Sequence, residues 1–196
     1  MKLSPARHLQ KGFTLIELLV VIGILGILAA ALVATIDPFE QLRKARDSRT
    51  QNIAVELHGA LVRYYTTHEK MPWETGSGAS AACIAVGTAG TADDLEVGQT
   101  VLGLLPCLED LIAEGELKQA FTTAQGLDEI YVIEPYCTGS TCAGGDLAVD
   151  GSPSICYNPE SLSGRADDNN RYNRSGWIDV ACTPGALAAS CHWCAQ

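Results

Sequence analysis

The sequence predicts an α+β protein, in which a long N-terminal α-helix carries a small antiparallel β-sheet head with disulfides. Three observations indicate this class. An apolar run occupies residues 13–36, apolar residues recur at helical spacing from Pro38 onward, and short β-rich segments follow in a region that is rich in Gly and holds all eight Cys. A helix followed by strands with turn-rich connections is typical of this class.

Composition and charge divide the chain into four segments. A short stretch whose only charges are positive is followed by the apolar run, then by a charged segment that also bears Ala, Leu and Tyr, and finally by a long part rich in Gly, Ser, Thr and Cys. We place these segments at residues 1–12, 13–36, 37–70 and 71–196. The first two segments predict a membrane-anchored protein, and the last predicts a globular head.

The apolar run is long enough to cross a membrane. As a helix it would measure roughly 36 Å, against a hydrocarbon core of about 30 Å. A cleaved secretory signal also begins with basic residues, but its apolar core usually has only about 7 to 15 residues. Glu17, the one ionisable side chain inside the run, also argues against such a signal. Because Lys and Arg flank both ends, the positive-inside rule does not orient the span.

A second helix is predicted directly after the first. Asp37 can cap a helix and Pro38 fits the first helical position, whereas Pro72 prevents continuation, so we expect a helix from Pro38 to about Thr67. Its periodic stripe is apolar at both ends and basic in the middle: Phe39, Leu42, Arg46, Arg49, Ile53, Leu57, Ala60 or Leu61, and Tyr64.

The head shows weaker patterns. The stretch LPCLEDLIAEGELKQAF has helical spacing. Three short segments predict strands: EIYVIEPY, SPSICYNP and GWIDVAC. Together they favour a helix packed beside an antiparallel sheet.

The eight cysteines predict disulfides in an oxidising compartment, which would place the head outside the cell and the N-terminus in the cytoplasm. They are Cys83, Cys107, Cys137, Cys142, Cys156, Cys182, Cys191 and Cys194. Because short loops close easily, we expect Cys137–Cys142 and Cys191–Cys194, with the other four pairing in chain order. Zinc is the competing interpretation, but only Cys191-x-x-Cys194 has a typical ligand spacing. We predict no metal site and no cofactor.

Charge and residue placement exclude other classes of function. From Thr75 onward four basic residues oppose sixteen carboxylates, so general nucleic-acid binding is not expected. The four His are scattered and no nucleophile groups with a base, which predicts that the chain is not an enzyme. Asp167 and Asp168 lie in a polar stretch that could hold calcium, although a solvated loop is favoured. Asn173-Arg174-Ser175 fits the glycosylation pattern, which often arises by chance.

The stretch KGFTLIELLVVIGILGILAA resembles the N-terminal segment of type IV pilins and type II secretion pseudopilins, as does the helix and exit turn that follows it, DPFEQLRKARDSRTQNIAVELHGALVRYYTTHEKMPW. The resemblance implies that residues 1–12 are a cytoplasmic leader peptide and that a membrane prepilin peptidase cleaves between Gly12 and Phe13 and methylates the Phe13 amine. It also implies that Glu17 pairs with the Phe13 amine of a neighbouring subunit when the helices pack into a filament core. A carboxylate in lipid is costly, and meeting this cation would recover that cost. Many pilins carry a Pro within the apolar helix, whereas this chain has Gly23 and Gly26 there.

The function implied is that of a structural subunit. The precursor would lie in the inner membrane, meet the pilus assembly platform there, and polymerise into an extracellular type IV pilus-like filament. Within the same machinery, the alternative is a pseudopilin or minor pilin of a secretion or DNA-uptake machine. Outside it, the alternative is a membrane-anchored thiol-redox protein that uses Cys191 and Cys194.

Overall fold

The computed structural model describes residues 12–35, 37–87, 99–133, 136–138, 141–143, 153–173, 178–179, 181–182 and 191–195. The chain forms two compact units, Met1–Phe39 and Glu40–Gln196. The first unit contains the apolar helix and the second contains the head with nearly all of the second helix.

Helix α1 spans Leu15–Thr35 and has no buried residue. Leu, Ile, Val and Ala occupy almost every position, so the helix is apolar on all sides and has no polar face to turn toward water. The hydroxyl of Thr35 donates to the carbonyl oxygen of Leu32 at its end, 2.8 Å away. The helix continues through Gly23 and Gly26, where an added Cβ would meet no atom within 4 Å.

Helix α2 spans Pro38–His68, which confirms the predicted bounds to within one residue. Asp37 caps it, because its carboxylate accepts a hydrogen bond from the amide of Phe39 at 3.0 Å. The helix ends where Glu69 adopts a left-handed backbone with φ +57°. Both ends of this helix were predicted from the local sequence.

The buried face of α2 differs from the predicted stripe in its first half. From Ile53 to Tyr64 the predicted apolar positions are buried, but Phe39 and Leu42 are 71 % and 61 % exposed. The buried side chains upstream of Ile53 are Asp47 and Thr50. Polar contacts, rather than apolar packing, therefore hold this part of the helix to the head.

The head contains strands β1 to β7, at Gln99–Thr100, Ile130–Ile133, Tyr136–Thr138, Thr141–Ala143, Ser154–Tyr157, Asn170–Tyr172 and His192–Ala195. Five of them form one sheet in the order β1-β2-β5-β7-β6, and β3 pairs with β4 in a separate hairpin. All pairs are antiparallel. The predicted α+β class with an antiparallel, disulfide-bonded head is confirmed.

Shorter helices connect the strands. They are α3 at Ala81–Gly87, α4 at Leu105–Ala113 and α5 at Leu162–Arg165, with 3₁₀ turns at Val101–Leu104 and Gln119–Thr123. The helical prediction beginning at Leu105 is correct for nine residues. Gly115, with φ +81°, lies just after the end of α4, where a left-handed residue is favoured.

Both faces of the sheet are buried. Ile130 and Val132 belong to the main core together with α2 and α4, whereas Tyr131 and Ile133 belong to a second cluster. Successive side chains of a strand point to opposite faces, so β2 contributes to both layers. Trp73, fully buried after the end of α2, completes the main core.

Six of the eight cysteines form the disulfides Cys83–Cys107, Cys156–Cys194 and Cys182–Cys191. The first agrees with the predicted chain order, but the predicted Cys191–Cys194 and Cys156–Cys182 pairs are wrong. Cys194 lies in β7 directly opposite Cys156 of β5, with 4.1 Å between their Cα atoms. Residues three apart in an extended strand lie about 10 Å apart, beyond the reach of a disulfide.

The hairpin β3–β4 places Cys137 opposite Cys142 in its register. The pairing of these two cysteines with each other stays a prediction, for which this backbone register is favourable.

Candidate functional site

Gly12 and Phe13 lie just before α1 in non-helical backbone, and Phe13 is 80 % exposed. An added Cβ at Gly12 would meet no atom within 4 Å, and its φ is not in the left-handed region. The described fold therefore does not require glycine at this position. A requirement for glycine would have to come from a molecule that acts on this segment.

Glu17 and Thr14 form a reciprocal cap at the start of α1. The Glu17 carboxylate accepts hydrogen bonds from the Thr14 amide and the Thr14 hydroxyl, both at 3.0 Å. The Thr14 hydroxyl in turn accepts from the Glu17 amide at 3.2 Å. This is the capping-box arrangement, in which two amides without helical partners are satisfied by side chains.

Thr14 was missed in the sequence analysis, although the signal was present. Thr-x-x-Glu before an apolar run is the capping-box pattern, and residues 14–17 match it. Both bonds to Thr14 use the same carboxylate oxygen, Oε2. Among the residues that the structure describes, nothing donates to the other oxygen of Glu17.

Helix α1 is long and apolar enough to cross a membrane by length and composition. It is the one such helix in the described part of the chain. The capped carboxylate lies in its first turn, and the apolar residues follow without interruption. An apolar helix with a polar, exposed N-terminal end therefore precedes the head in the sequence.

Asp47 connects α2 to the loop before α5 through hydrogen bonds. It is 7 % exposed, and its carboxylate accepts from the amides of Glu160 at 2.9 Å and Ser161 at 2.8 Å, as well as from the Ser161 hydroxyl. An added Cβ at Gly164 would lie 2.7 Å from Oδ2 of Asp47 and 2.8 Å from Cβ of Pro159. Only glycine fits this close approach, which no local sequence signal revealed.

The basic residues in the middle of α2 and toward its end contact oxygen atoms of the head. Arg46 pairs with Glu160 at 2.5 Å, and Arg63 pairs with Glu116 at 2.6 Å. Arg49 donates to the side-chain oxygen of Gln125 at 2.7 Å. Since these arginines are exposed, each contact adds little free energy of unfolding, and their role is to complement the acidic head.

The weaker candidate sites are not assembled among the described residues. No group of three His, Cys, Asp or Glu side chains there is arranged to hold a metal ion. Asp167 closes a local turn by accepting from the Asn169 amide at 2.9 Å, and Asp168 is exposed. Asn173 is half-buried, whereas the Arg and Ser of its triplet lie outside the described residues. Cys191 and Cys194 belong to separate disulfides, which removes the basis of the thiol-redox alternative.

Comparison with known proteins identifies the N-terminal segment. Residues 7–33 match the family model described as the prokaryotic N-terminal methylation motif. The chain is 35 % identical over 78 residues to the fimbrial protein EcpC of Eikenella corrodens, an alignment that covers 40 % of this chain and 50 % of that protein. It is 42 % identical over 64 residues to the type IV major pilin protein PilE1 of Neisseria gonorrhoeae, covering 33 % of this chain and 38 % of the relative.

A fimbrial protein of Neisseria meningitidis serogroup B is 41 % identical over 64 residues, covering 33 % of this chain and 36 % of that protein. The chain thus spans half or less of the length of the curated relatives it matches. No solved structure matches it. The segment with the methylation motif at the start of the apolar helix is therefore similar to the corresponding part of fimbrial and type IV pilin proteins.

Proposed function

We propose that this chain is a structural subunit that is processed at Gly12 and Phe13 and polymerises through α1 into an extracellular type IV pilus-like filament. The observation that carries the proposal is the exposed apolar helix with a carboxylate held in its first turn. A helix that is apolar on all sides needs either lipid or other apolar helices around it. Lipid surrounds the helix while the subunit is in the membrane, and the apolar helices of other subunits surround it after assembly.

Processing is supported by the surroundings of Gly12. The segment before α1 is exposed and not helical, so it can extend into the cleft of a membrane prepilin peptidase. The absence of a side chain at Gly12 would let that cleft approach the backbone closely. Cleavage after Gly12 creates a positively charged amine on Phe13, and methylation of this amine keeps the charge.

Assembly is supported by the geometry of Glu17. Its Oε2 is engaged by Thr14, and its Oε1 accepts from nothing among the described residues. The carboxylate is thus fixed in direction by its own helix and has one oxygen left for the Phe13 amine of a neighbouring subunit. Charge-assisted hydrogen bonds of this kind strengthen where water is excluded, as in a bundle of apolar helices.

The segments then have defined places. Residues 1–12 are the cytoplasmic leader, 13–36 the transmembrane and later filament-core helix, 37–70 its amphipathic continuation, and 71–196 the head outside the membrane. The assembly platform in the membrane and further copies of this chain are the partners, and the role is structural rather than catalytic. The relatives, named as fimbrial and major pilin proteins, favour a pilus over a secretion or DNA-uptake machine.

The processing step is tested by co-expressing the chain with a prepilin peptidase and measuring the intact mass of the membrane-held product. We expect loss of residues 1–12 and gain of one methyl group on Phe13. Gly12→Val should block cleavage, whereas Gly26→Val, a matched change inside α1 with open space around it, should leave cleavage unchanged. An unprocessed wild-type chain, or normal cleavage of Gly12→Val, would contradict the proposal.

A further inference from the structure

The N-terminal boundary of α1 is set by Thr14. The Leu18 amide donates to the Thr14 carbonyl at 3.2 Å, the bond expected between residues four apart in an α-helix. Thr14 itself lies outside α1, as do Gly12 and Phe13, and the helix begins at Leu15. A residue whose carbonyl joins the helix while its own backbone does not is the N-cap residue.

The hydrogen bonds of this cap replace those of a longer helix. In a longer helix the Glu17 amide would donate to the Phe13 carbonyl, four residues earlier, but it donates to the Thr14 hydroxyl at 3.2 Å instead. The Thr14 amide would likewise need a carbonyl four residues earlier, but it donates to the Glu17 carboxylate at 3.0 Å. Each of these side-chain bonds therefore competes with extension of α1 toward Phe13 and Gly12.

No other feature of the described segment before α1 ends the helix. Phe13 is compatible with helical backbone. Gly12 alone would only weaken a helix, since α1 continues through Gly23 and Gly26. Apolar surroundings favour extension as well, because backbone amides and carbonyls next to lipid need partners within the chain. The cap is thus what separates the helix from the peptide bond before Phe13.

The peptide bond between Gly12 and Phe13 is the one that the proposed processing breaks. Cleavage adds one water molecule across this amide and leaves a carboxylate on Gly12 and an ammonium group on Phe13. A peptide bond in a helix is enclosed by its own turn and has its carbonyl hydrogen-bonded, so a peptidase must unwind it before cleavage. In this chain the bond is exposed and non-helical before the peptidase binds.

We propose that Thr14 is a positioning residue for this cleavage, because together with Glu17 it ends α1 and keeps the Gly12–Phe13 bond in non-helical backbone. This role rests on the proposed processing and adds the condition that decides how readily the peptidase binds the bond. Chains whose helix extends through the bond do not fit the cleft, so the apparent affinity for the peptidase falls in proportion to the non-helical fraction. Thr14 takes no part in the chemical step itself.

The test measures kcat and KM for cleavage of the full-length chain, in detergent, by a purified prepilin peptidase, with intact mass as the readout. Thr14→Ala removes the capping hydroxyl and favours helix, so KM should rise about three- to tenfold with kcat unchanged. Thr14→Ser and Thr14→Asn retain an N-cap oxygen and should keep KM within about twofold of wild type. Thr35→Ala is the matched control at the other end of α1, where the Thr35 hydroxyl donates to the Leu32 carbonyl, and it should change neither constant.

In samples without peptidase, the Cα chemical shifts of Gly12 and Phe13 should move toward helical values in Thr14→Ala but not in Thr14→Ser. Unchanged shifts, or an unchanged KM for Thr14→Ala while wild type is cleaved, would overturn the role of Thr14 and leave the processing intact. A raised KM for Thr14→Asn would also overturn it, because the peptidase would then recognise the hydroxyl directly. If wild type itself is not cleaved, the proposed processing fails, and this role fails with it.

Discussion

The contacts of Asp47 and the close approach at Gly164 show how single residues join α2 to the head. The Asp47 carboxylate replaces the helical partners that the amides at the start of α5 lack, and Gly164 lets the two backbones approach. Leaving such buried donors unpaired costs about 1–3 kcal/mol each. This junction is therefore a sensitive point of the head.

Gly164→Ala should destabilise the head by about 2–4 kcal/mol, because the new methyl group overlaps Asp47 and Pro159, neither of which can move freely. Gly59→Ala is the matched control. It lies inside α2, where its Cβ would lie 3.2 Å from Nη1 of Arg63, an exposed group that can shift by a few tenths of an ångström, so the free energy of unfolding should change by no more than about 1 kcal/mol. Urea unfolding followed by tryptophan fluorescence measures both, and equal effects would refute the junction described for Gly164.

His58 is expected to make stability fall in mild acid. Its Nε2 is buried without a hydrogen bond among the described residues, and burial lowers its pKa below the ordinary value of 6.5. Between the lowered value and pH 6.5 the unfolded chain binds more protons than the folded one, so the free energy of unfolding decreases as pH falls through this window.

The measurement is the free energy of unfolding from pH 7.5 to 5 for wild type and His58→Gln. The decrease should be smaller in the variant. Glu129 acts in the opposite sense, because burial and then Asp128 raise its pKa, so its ionisation destabilises the head as pH rises above 4.5. It is present in both proteins and cancels in the difference. Identical pH profiles would contradict the role of His58.

At the scale of elements, β7 is the last strand along the chain yet lies between β5 and β6. It also carries Cys194, while Cys191 directly precedes it, so two disulfides end at this strand. The sheet is therefore complete only when β7 pairs with β5 and β6, which precede it in the sequence. Long-range contacts of this kind are costly to form and are locked by the covalent bonds.

Non-reducing peptide mapping should therefore find Cys156 linked to Cys194 and Cys182 linked to Cys191. We also expect Cys137 linked to Cys142, which the β3–β4 register favours. The Cys83–Cys107 peptide serves as the internal control, since sequence and structure agree on it. A recovered Cys191–Cys194 loop would contradict the extended conformation of β7.

The two long helices were predictable and the strand order was not, for a physical reason. Asp37, Pro38 and Pro72 act locally, and the spacing of apolar residues from Ile53 to Tyr64 follows the helical period. The end of the chain was interpreted as a short disulfide loop because two cysteines lie three residues apart. Which strand lies beside β7 depends on residues far away in the sequence, and no local pattern encodes that register.

The candidate sites also differ in how far the sequence alone predicts them. Gly12, Phe13 and Glu17 form one contiguous motif that is readable from sequence alone, and Thr14 could have been read with them. The junction of Asp47 with Glu160 and Ser161 joins α2 to a segment 113 and 114 residues further along the chain, so nothing in any one stretch predicted it. A search for residue spacing in the sequence does not find residues that come together only after folding.

At the scale of the whole molecule, the chain combines an apolar helix with a strongly acidic head that contains disulfides. Net charge is −10, and arginines of α2 meet head oxygens at Glu160, Gln125 and Glu116. Like-charged heads repel one another, so the filament assembly proposed above requires an attraction located in α1. Glu17 is the one charged side chain of α1.

The most direct test measures how much of this chain, starting at Phe13, appears in sheared surface filaments relative to the mature chain held in the membrane. Glu17→Gln removes the charge but can keep the capping box, since Gln serves there as well as Glu, and Thr14→Ser is the control that keeps both. We predict abundant filaments for wild type and Thr14→Ser, and a strongly reduced ratio for Glu17→Gln despite normal processing. A wild-type ratio for Glu17→Gln, or filaments without this chain, would contradict the account.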